Sequence, residues 1–286
     1  MEKWQYIPLL LDPIAFTIGF FSVRWYALFF LGSAFLVFFF MRRNIFYEGT
    51  LSQEQRIDLF FILFFGAFIG GRVGYFVFYS PESFFENPLS IFSPYDFERK
   101  LWVGLSGMSY HGGILGALFS LRWFTWKKRL SFWRIADSVI LFVPLVTFFG
   151  RVGNFFNLEL FGRVTEKPWG MFFLDTSSGN ILRHPSSLYE AFFEGLFLFG
   201  AIFFLRRFIR IDGLLTCLYI LLYAVVRFGV EYFREPDAFY GIFFLNIFPY
   251  GLSFGQILSF FMFLLGSILF WWLQRKKNDT IKTSNN

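Results

Sequence analysis

The chain has 286 residues and a net charge of +6, and it is 56% hydrophobic, 25% aromatic and only 16% charged. No soluble domain covers that much apolar surface, so the composition excludes an ordinary soluble enzyme and indicates an integral membrane protein. The single cysteine, Cys217, rules out an internal disulfide and a cysteine-based metal site, and two histidines, His111 and His184, speak against a histidine-rich one.

Residues 1–12 lack a basic region followed by a cleavable apolar core, so we expect no signal peptide. About 20 apolar residues cross a bilayer as a helix. Seven segments meet that pattern: 18–40, 58–79, 108–126, 135–152, 186–205, 212–231 and 252–273. The third is diluted by Arg122 and the glycines of 112–116. Basic residues alternate between connections. Arg42, Arg43 and Arg56 follow the first span, and Lys127, Lys128, Arg129 and Arg134 follow the third. Arg206, Arg207 and Arg210 follow the fifth, and Arg275, Lys276, Lys277 and Lys282 follow the seventh. By the positive-inside rule these face the cytoplasm. The expectation is one polytopic, all-α domain over 1–286, with its N-terminus outside and the tail 274–286 inside. Segments 80–107, 153–185 and 232–251 become structured outer loops. No internal repeat is evident, which speaks against a transporter built from duplicated halves.

Ionisable residues inside such spans mark function by default. The run Gly150-Arg151-Val152-Gly153-Asn154-Phe155-Phe156-Asn157-Leu158-Glu159-Leu160-Phe161-Gly162 sets an arginine, two asparagines and a glutamate among glycines at a helix end. Small residues admit close backbone approach, and arginine grips anionic oxygens in a bidentate way. At the same outer depth lie Tyr26 beside Arg24 and Trp25, Arg72 in Gly70-Gly71-Arg72-Val73-Gly74-Tyr75, and His111 at the start of span three. Glu190 and Glu194 are one turn apart on span five, and Tyr223, Arg227, Glu231 and Arg234 follow one face of span six. Asp137 precedes Arg151 by 14 residues, about 21 Å of straight helix. It therefore belongs to the cytoplasmic end, as a structural partner for Arg134. Each residue has a plainer reading. An arginine near a span end snorkels to headgroups, Tyr26 with Trp25 anchors at the interface, and a lone histidine is a hydrogen-bonded core residue. Glu190, Glu194 and Glu231 neutralise arginines, and Gly66, Gly70 and Gly74 pack helices. The clustering at one depth is what those readings leave unexplained. Arginines there suit a phosphate that leaves with extra charge, and a histidine suits a proton acceptor. No nucleophile of the chain's own is evident, so the attacking group comes from a second substrate.

The thirteen-residue run from Gly150 to Gly162 resembles the signature of the bacterial prolipoprotein diacylglyceryl transferases. Arg24-Trp25-Tyr26, Gly71-Arg72-Val73-Gly74-Tyr75 and Gly107-Met108-Ser109-Tyr110-His111-Gly112-Gly113 match in the family's order. So do Arg134-Ile135-Ala136-Asp137, Pro168-Trp169-Gly170, Arg183-His184-Pro185-Ser186, Leu188-Tyr189-Glu190-Ala191 and the stretch from Arg227 through Phe233-Arg234-Glu235-Pro236-Asp237. The resemblance implies a seven-span enzyme of the bacterial inner membrane, without cofactor or metal and with no nucleic-acid partner. It implies transfer of the diacylglyceryl group of phosphatidylglycerol to the lipobox cysteine thiol of a prolipoprotein, with release of glycerol 1-phosphate, as the first step of lipoprotein maturation. By motif position Arg151 and Arg227 hold the phosphate, Asn154, Glu159 and Gly162 shape the site, and Tyr26 and Tyr223 hydrogen-bond nearby. Arg72, Glu231 and Arg234 complete the substrate-binding set. His111 resembles the general base for the thiol, an arginine-assisted thiolate being the alternative. Ser187 and Ala27 stand where the family often has glutamine and glycine, and Thr147-Phe148-Phe149 is bulkier than usual, which bears on substrate fit.

Two other classes make different demands. An intramembrane serine protease would use Ser106 of Gly104-Leu105-Ser106-Gly107 with His184 as base, and Ser106→Ala would abolish it. An anion channel would need the ionisable residues to continue inward, which they do not; a lipid scaffold without chemistry is the bland remainder.

Overall fold

The computed structural model describes residues 3–19, 21–44, 51–86, 91–93, 95–96, 101–102, 107–175, 179–235, 242–243 and 251–284. The chain divides into two compact units, one of Met1–Ala15, Arg24–Ser33 and Val139–Asn286, the other of Phe16–Val23 and Ala34–Ser138. The described elements are a short helix α1 (Ile7–Leu10), strands β1 (Ile14–Ile18) and β2 (Phe21–Arg24), and helices α2 (Trp25–Arg42), α3 (Gln53–Tyr79) and α4 (Pro81–Glu86). Strands β3 (Tyr95–Asp96) and β4 (Leu101–Trp102) precede α5 (Tyr110–Lys127), α6 (Phe132–Ile140) and α7 (Val143–Phe156). Then come β5 (Met171–Asp175), β6 (Gly179–Arg183), α8 (Ser186–Leu205), α9 (Leu214–Val230), β7 (Ile242–Phe243), β8 (Leu252–Ser253) and α10 (Phe254–Ser284). The protein is mostly helical, as expected of an all-α membrane protein. The strands form four separate two-stranded hairpins among the described residues.

Helical segments occur at each of the seven expected spans, but not all have span-like length. Helices α2, α3, α8 and residues Phe254–Lys276 are long and apolar enough to cross a membrane; α6 and α7 together would be a fifth such span. Three expected boundaries are corrected. Ile18 ends β1, Phe21–Arg24 form β2, and the helix begins only at Trp25. Residues 135–152 are not one straight helix: α6 and α7 meet at a 41° bend. Pro144 lies in the first turn of α7, where its missing N–H breaks no helical bond. A 14-residue rise from Asp137 to Arg151 therefore cannot be read as depth, and α7 runs past Arg151 to Phe156. Helix α9 ends at Val230 with Glu231 as its C-cap, still helical and on the face of Arg227, with its N–H on Arg227 O at 3.1 Å; only Arg234 lies in the turn beyond.

In the second unit α3 and α5 pack along a seam of small residues. A Cβ on Gly70 would sit 2.7 Å from Gly116 Cα, and one on Gly74 would sit 2.7 Å from Gly112 Cα. Gly66 faces Ser120 in the same way. The expected packing role of Gly66, Gly70 and Gly74 is thus met by a partner row at the spacing of one turn, including the glycines that dilute span three. Both helices are capped. Ser52 and Gln55 form a reciprocal capping box on α3, and Ser109 Oγ accepts the Gly112 N–H at 3.2 Å on α5.

In the first unit α7 packs on α8, and α9 packs on α8 and α10. Residues Ala191–Phe197 of α8 wind as a π-helix. Gly195 lies there against α7, where a Cβ would meet Phe148 Cβ at 2.6 Å. Beyond α7, β5 pairs with β6 in antiparallel register from Met171↔Arg183 to Asp175↔Gly179. Phe155, Met171 and Phe173 form the core beneath this hairpin, and Tyr6 stacks on Phe172 at 4.8 Å.

Candidate functional site

The close approach of α7 and α8 at Phe148 and Gly195 decides the position of Arg151. Three residues after Phe148, it faces α8 one turn further along. Its Nη1 lies 2.9 Å from Glu190 Oε2 and its Nη2 lies 3.4 Å from Glu194 Oε2. From α9, Arg227 Nη1 reaches Glu190 Oε1 at 3.2 Å and Glu194 Oε1 at 3.1 Å, while its Nη2 pairs with Glu231 at 2.5 Å. Arg234 Nη1 adds a third cation on Glu190 Oε1, at 3.3 Å. The Tyr223 hydroxyl donates to Glu194 at 3.5 Å. Both central carboxylates are 0% exposed, whereas the Arg151 and Arg227 side chains keep 16% and 14%. Burying charge this completely is tolerable only with such pairing. The widened turn of α8 stands where Glu190 and Glu194 must face arginines from two other helices; π-turns recur at functional sites.

Tyr26 opens α2 beside this cluster. A Cβ on Gly153 would meet Tyr26 Cα and Cδ2 at 3.1 Å, so that glycine seats the first turn of α2 on α7. Trp25 and Phe29 pack their rings on Phe156. Tyr26 remains 37% exposed, within electrostatic reach of Glu159 and Arg151. Glu159 is set by a strained turn: Leu158 and Leu160, on either side, have φ of 57° and 56°. Few branched-chain residues accept that region. Asn154 Nδ2 donates to Glu159 Oε1 at 2.8 Å, and the Glu159 N–H donates to Asn154 O at 3.1 Å.

Gly162 is where three stretches of backbone meet. It bridges Arg234, its N–H donates to His184 O at 2.8 Å, and Arg183 Nη1 donates to its carbonyl at 3.2 Å. A Cβ there would strike Phe233 O and would lie 2.7 Å from His184 O. Thus Asn154, Glu159 and Gly162 do not touch the arginine cluster as a block. They shape a loop that ties Arg234 back toward Glu190.

Arg72 and His111 belong to the second unit. Arg72 is buried, with Nε donating to Ile91 O at 2.7 Å and Nη1 to Gly107 O at 2.9 Å. These bonds fasten Ile91 and Gly107 to α3. His111 is exposed on the first turn of α5, its ring edge-on to Tyr110. Ser106 falls outside the described residues. His184 Nδ1 lies 3.1 Å from the Tyr189 hydroxyl. Burial, with the nearby charge of Lys167, pushes the His184 pKa down.

A family model described as prolipoprotein diacylglyceryl transferase matches residues 13–272. The chain belongs to the prolipoprotein diacylglyceryl transferase family. A phosphatidylglycerol–prolipoprotein diacylglyceryl transferase from Idiomarina loihiensis is 41% identical over 269 residues, 94% of this chain and 94% of that protein. One from Campylobacter curvus is 41% identical over 284 residues, 96% and 98% of the two chains. One from Chlorobaculum tepidum is 38% identical over 282 residues, 97% and 96%.

For this transferase the site residues assigned from the motifs omit several side chains of the cluster and its surroundings. Glu190 and Glu194 do neutralise the arginines, as the plainer reading expects, and they are also the hub that joins them. Arg183 is buried, pairs with Glu235 and covers the Phe161 ring at 4.9 Å. Ser253 donates its hydroxyl to Glu231 at 3.0 Å and forms a capping box with Gln256 at the start of α10. The pattern Ser253-x-x-Gln256 is legible as a helix start; its bond to Glu231 is not, because nothing local encodes a contact 22 residues away.

Proposed function

We infer that this member of the family transfers the diacylglyceryl group of phosphatidylglycerol to the lipobox cysteine thiol of prolipoproteins, releasing glycerol 1-phosphate. The observation that carries this reading is the convergence of Arg151 and Arg227, from two helices and each still partly exposed, on the buried Glu190 and Glu194, with Tyr223 bonded to Glu194 and Tyr26 within electrostatic reach of Arg151. The thiolate sulfur attacks the terminal glyceryl carbon. The bond from that carbon to the phosphate oxygen breaks, and glycerol 1-phosphate leaves with the bonding pair. The phosphate thereby goes from one negative charge to two, and charge that grows in the transition state is what fixed guanidinium groups stabilise. The thiol proton passes to a base. The motif assigns that role to His111, with arginine-assisted ionisation of the thiol as the other route. The alternation of basic connections supports seven spans, an outer N-terminus and a site in the outer half of the membrane; the bacterial inner membrane is what the family resemblance implies.

Purified protein, phosphatidylglycerol and a lipobox peptide should give a peptide heavier by one diacylglyceryl group. Its cysteine-to-serine counterpart should not react, since a thiolate forms far more readily than an alkoxide. Arg151→Ala or Arg227→Ala should slow turnover by about 10²- to 10³-fold, the cost of losing one such donor. Folded protein that yields no mass shift defeats the reading.

A further inference from the structure

The arginine cluster is not a bare cationic seat. Among the described residues Arg151, Arg227 and Arg234 meet Glu190, Glu194 and Glu231, so the formal charges cancel. Glu194 links Arg151 to Arg227 through its two oxygens, and Glu190 links the same pair and Arg234. Neither Arg151 Nε nor Arg227 Nε has a partner among the described residues, so each guanidinium keeps donors for an added anion. Burial alone asks for such pairing while the site is empty, and the same three carboxylates also act on any charged guest at contact distance.

We propose that Glu190 and Glu194 are positioning residues that favour product release, acting through Arg151 and Arg227 to keep the phosphate seat from retaining its doubly charged product. The proposal rests on the transferase reading above. The reaction turns a singly charged phosphodiester into a monoester with nearly two charges. A bare set of three arginines would hold the product far more tightly than the substrate, and turnover would stall on release. Each fixed carboxylate weakens the seat in proportion to the charge of the guest. The product therefore loses about twice as much binding, on a logarithmic scale, as the substrate. The π-turn and the contact of Gly195 with Phe148 keep these carboxylates on the arginines, so they discriminate by charge in every cycle.

The test uses the whole protein in nanodiscs at about pH 8, above the second phosphate pKa of about 6. Binding of sn-glycerol 1-phosphate and of its methyl diester is measured by calorimetry, and product inhibition by the lipidation assay. The wild type should bind the two anions within about threefold of each other; a preference of about tenfold or more for the dianion would overturn the proposal. In Glu194→Gln, and in Glu190→Gln as a second variant, the inhibition constant for glycerol 1-phosphate should fall about tenfold or more. KM for phosphatidylglycerol should fall by about the square root of that factor, and kcat should drop with it. Glu194→Asp, which keeps the charge, should return both constants toward wild type. An unchanged inhibition constant, or equal factors for KM and inhibition, refutes the charge argument. If neither glutamine variant folds, the wild-type comparison of the two anions decides alone. A wild type that lipidates no peptide defeats the transferase reading, while the two anion affinities still report on the counter-charges.

Discussion

Replacing Gly70 by alanine sets a helix-favouring change against a steric one, and the structure says which wins. In a helix, alanine is more favourable than glycine by about 0.5–1 kcal/mol. At Gly70 the new methyl would sit 2.7 Å from Gly116 Cα and 3.0 Å from Gly116 N. Carbon atoms pack best at about 3.5–4.0 Å, so α3 and α5 must part by about 1 Å there. A gap of that size forfeits a quarter to a half of the dispersion energy of the contacts it opens, and overpacking of this kind costs about 1–3 kcal/mol. Overpacking exceeds propensity, and the net loss of about 1–2 kcal/mol should lower Tm by roughly 2–6 °C. Gly200 of α8 supplies the control, because nothing lies within 4 Å of a Cβ built there. Gly200→Ala should leave Tm unchanged or raise it slightly. The assay is thermal unfolding of both variants in one detergent or nanodisc. Equal Tm for Gly70→Ala and wild type, or a loss in Gly200→Ala alone, would refute the seam.

Three further outcomes follow from single contacts. Gly162→Ala puts a methyl against Phe233 O and His184 O, so the bridge to Arg234 cannot close; lipidation should fall by about 10²-fold, as misplacement of about 1 Å near chemistry does, and wild-type turnover would refute the tie. Ser253→Ala removes both the cap of α10 and a donor to Glu231; it should cost about 1 kcal/mol in unfolding free energy, and an unchanged Tm would deny that the cap matters. His184 has its pKa lowered by burial and then by Lys167, so the unfolded chain binds a proton at that site before the folded one does. Its contribution to stability is full above about pH 6.5 and is lost as pH falls from there through the folded value. A Tm-against-pH curve should show that step, and His184→Asn should flatten it; an identical curve for the variant would refute the assignment.

What the sequence conveyed and what it hid divide along a physical line. Glycines four apart on α3 announce a packed face because helical spacing alone puts them there. Basic connections and apolar runs announce a membrane protein because solvation acts residue by residue. The bend before Pro144 is half legible: proline is visible, but its tolerated place in a first helical turn depends on where the helix starts. The π-turn is invisible, because no residue type demands it. It coincides with Glu190 and Glu194 facing arginines that arrive from α7 and from α9 and its following turn. The reading of Arg227, Glu231 and Arg234 as one helical face holds for Arg227 and Glu231, an i,i+4 ion pair, and fails for Arg234. The helix stops at Val230, yet Arg234 still reaches Glu190, because Gly162 pairs with its backbone and steers the turn. A linear pattern thus named the charges and missed their hub. Close backbone approaches at Gly153, Gly162 and Gly195, each made with residues distant in the chain, hold the elements that carry the arginines, so the signature run from Gly150 to Gly162 acts as a scaffold.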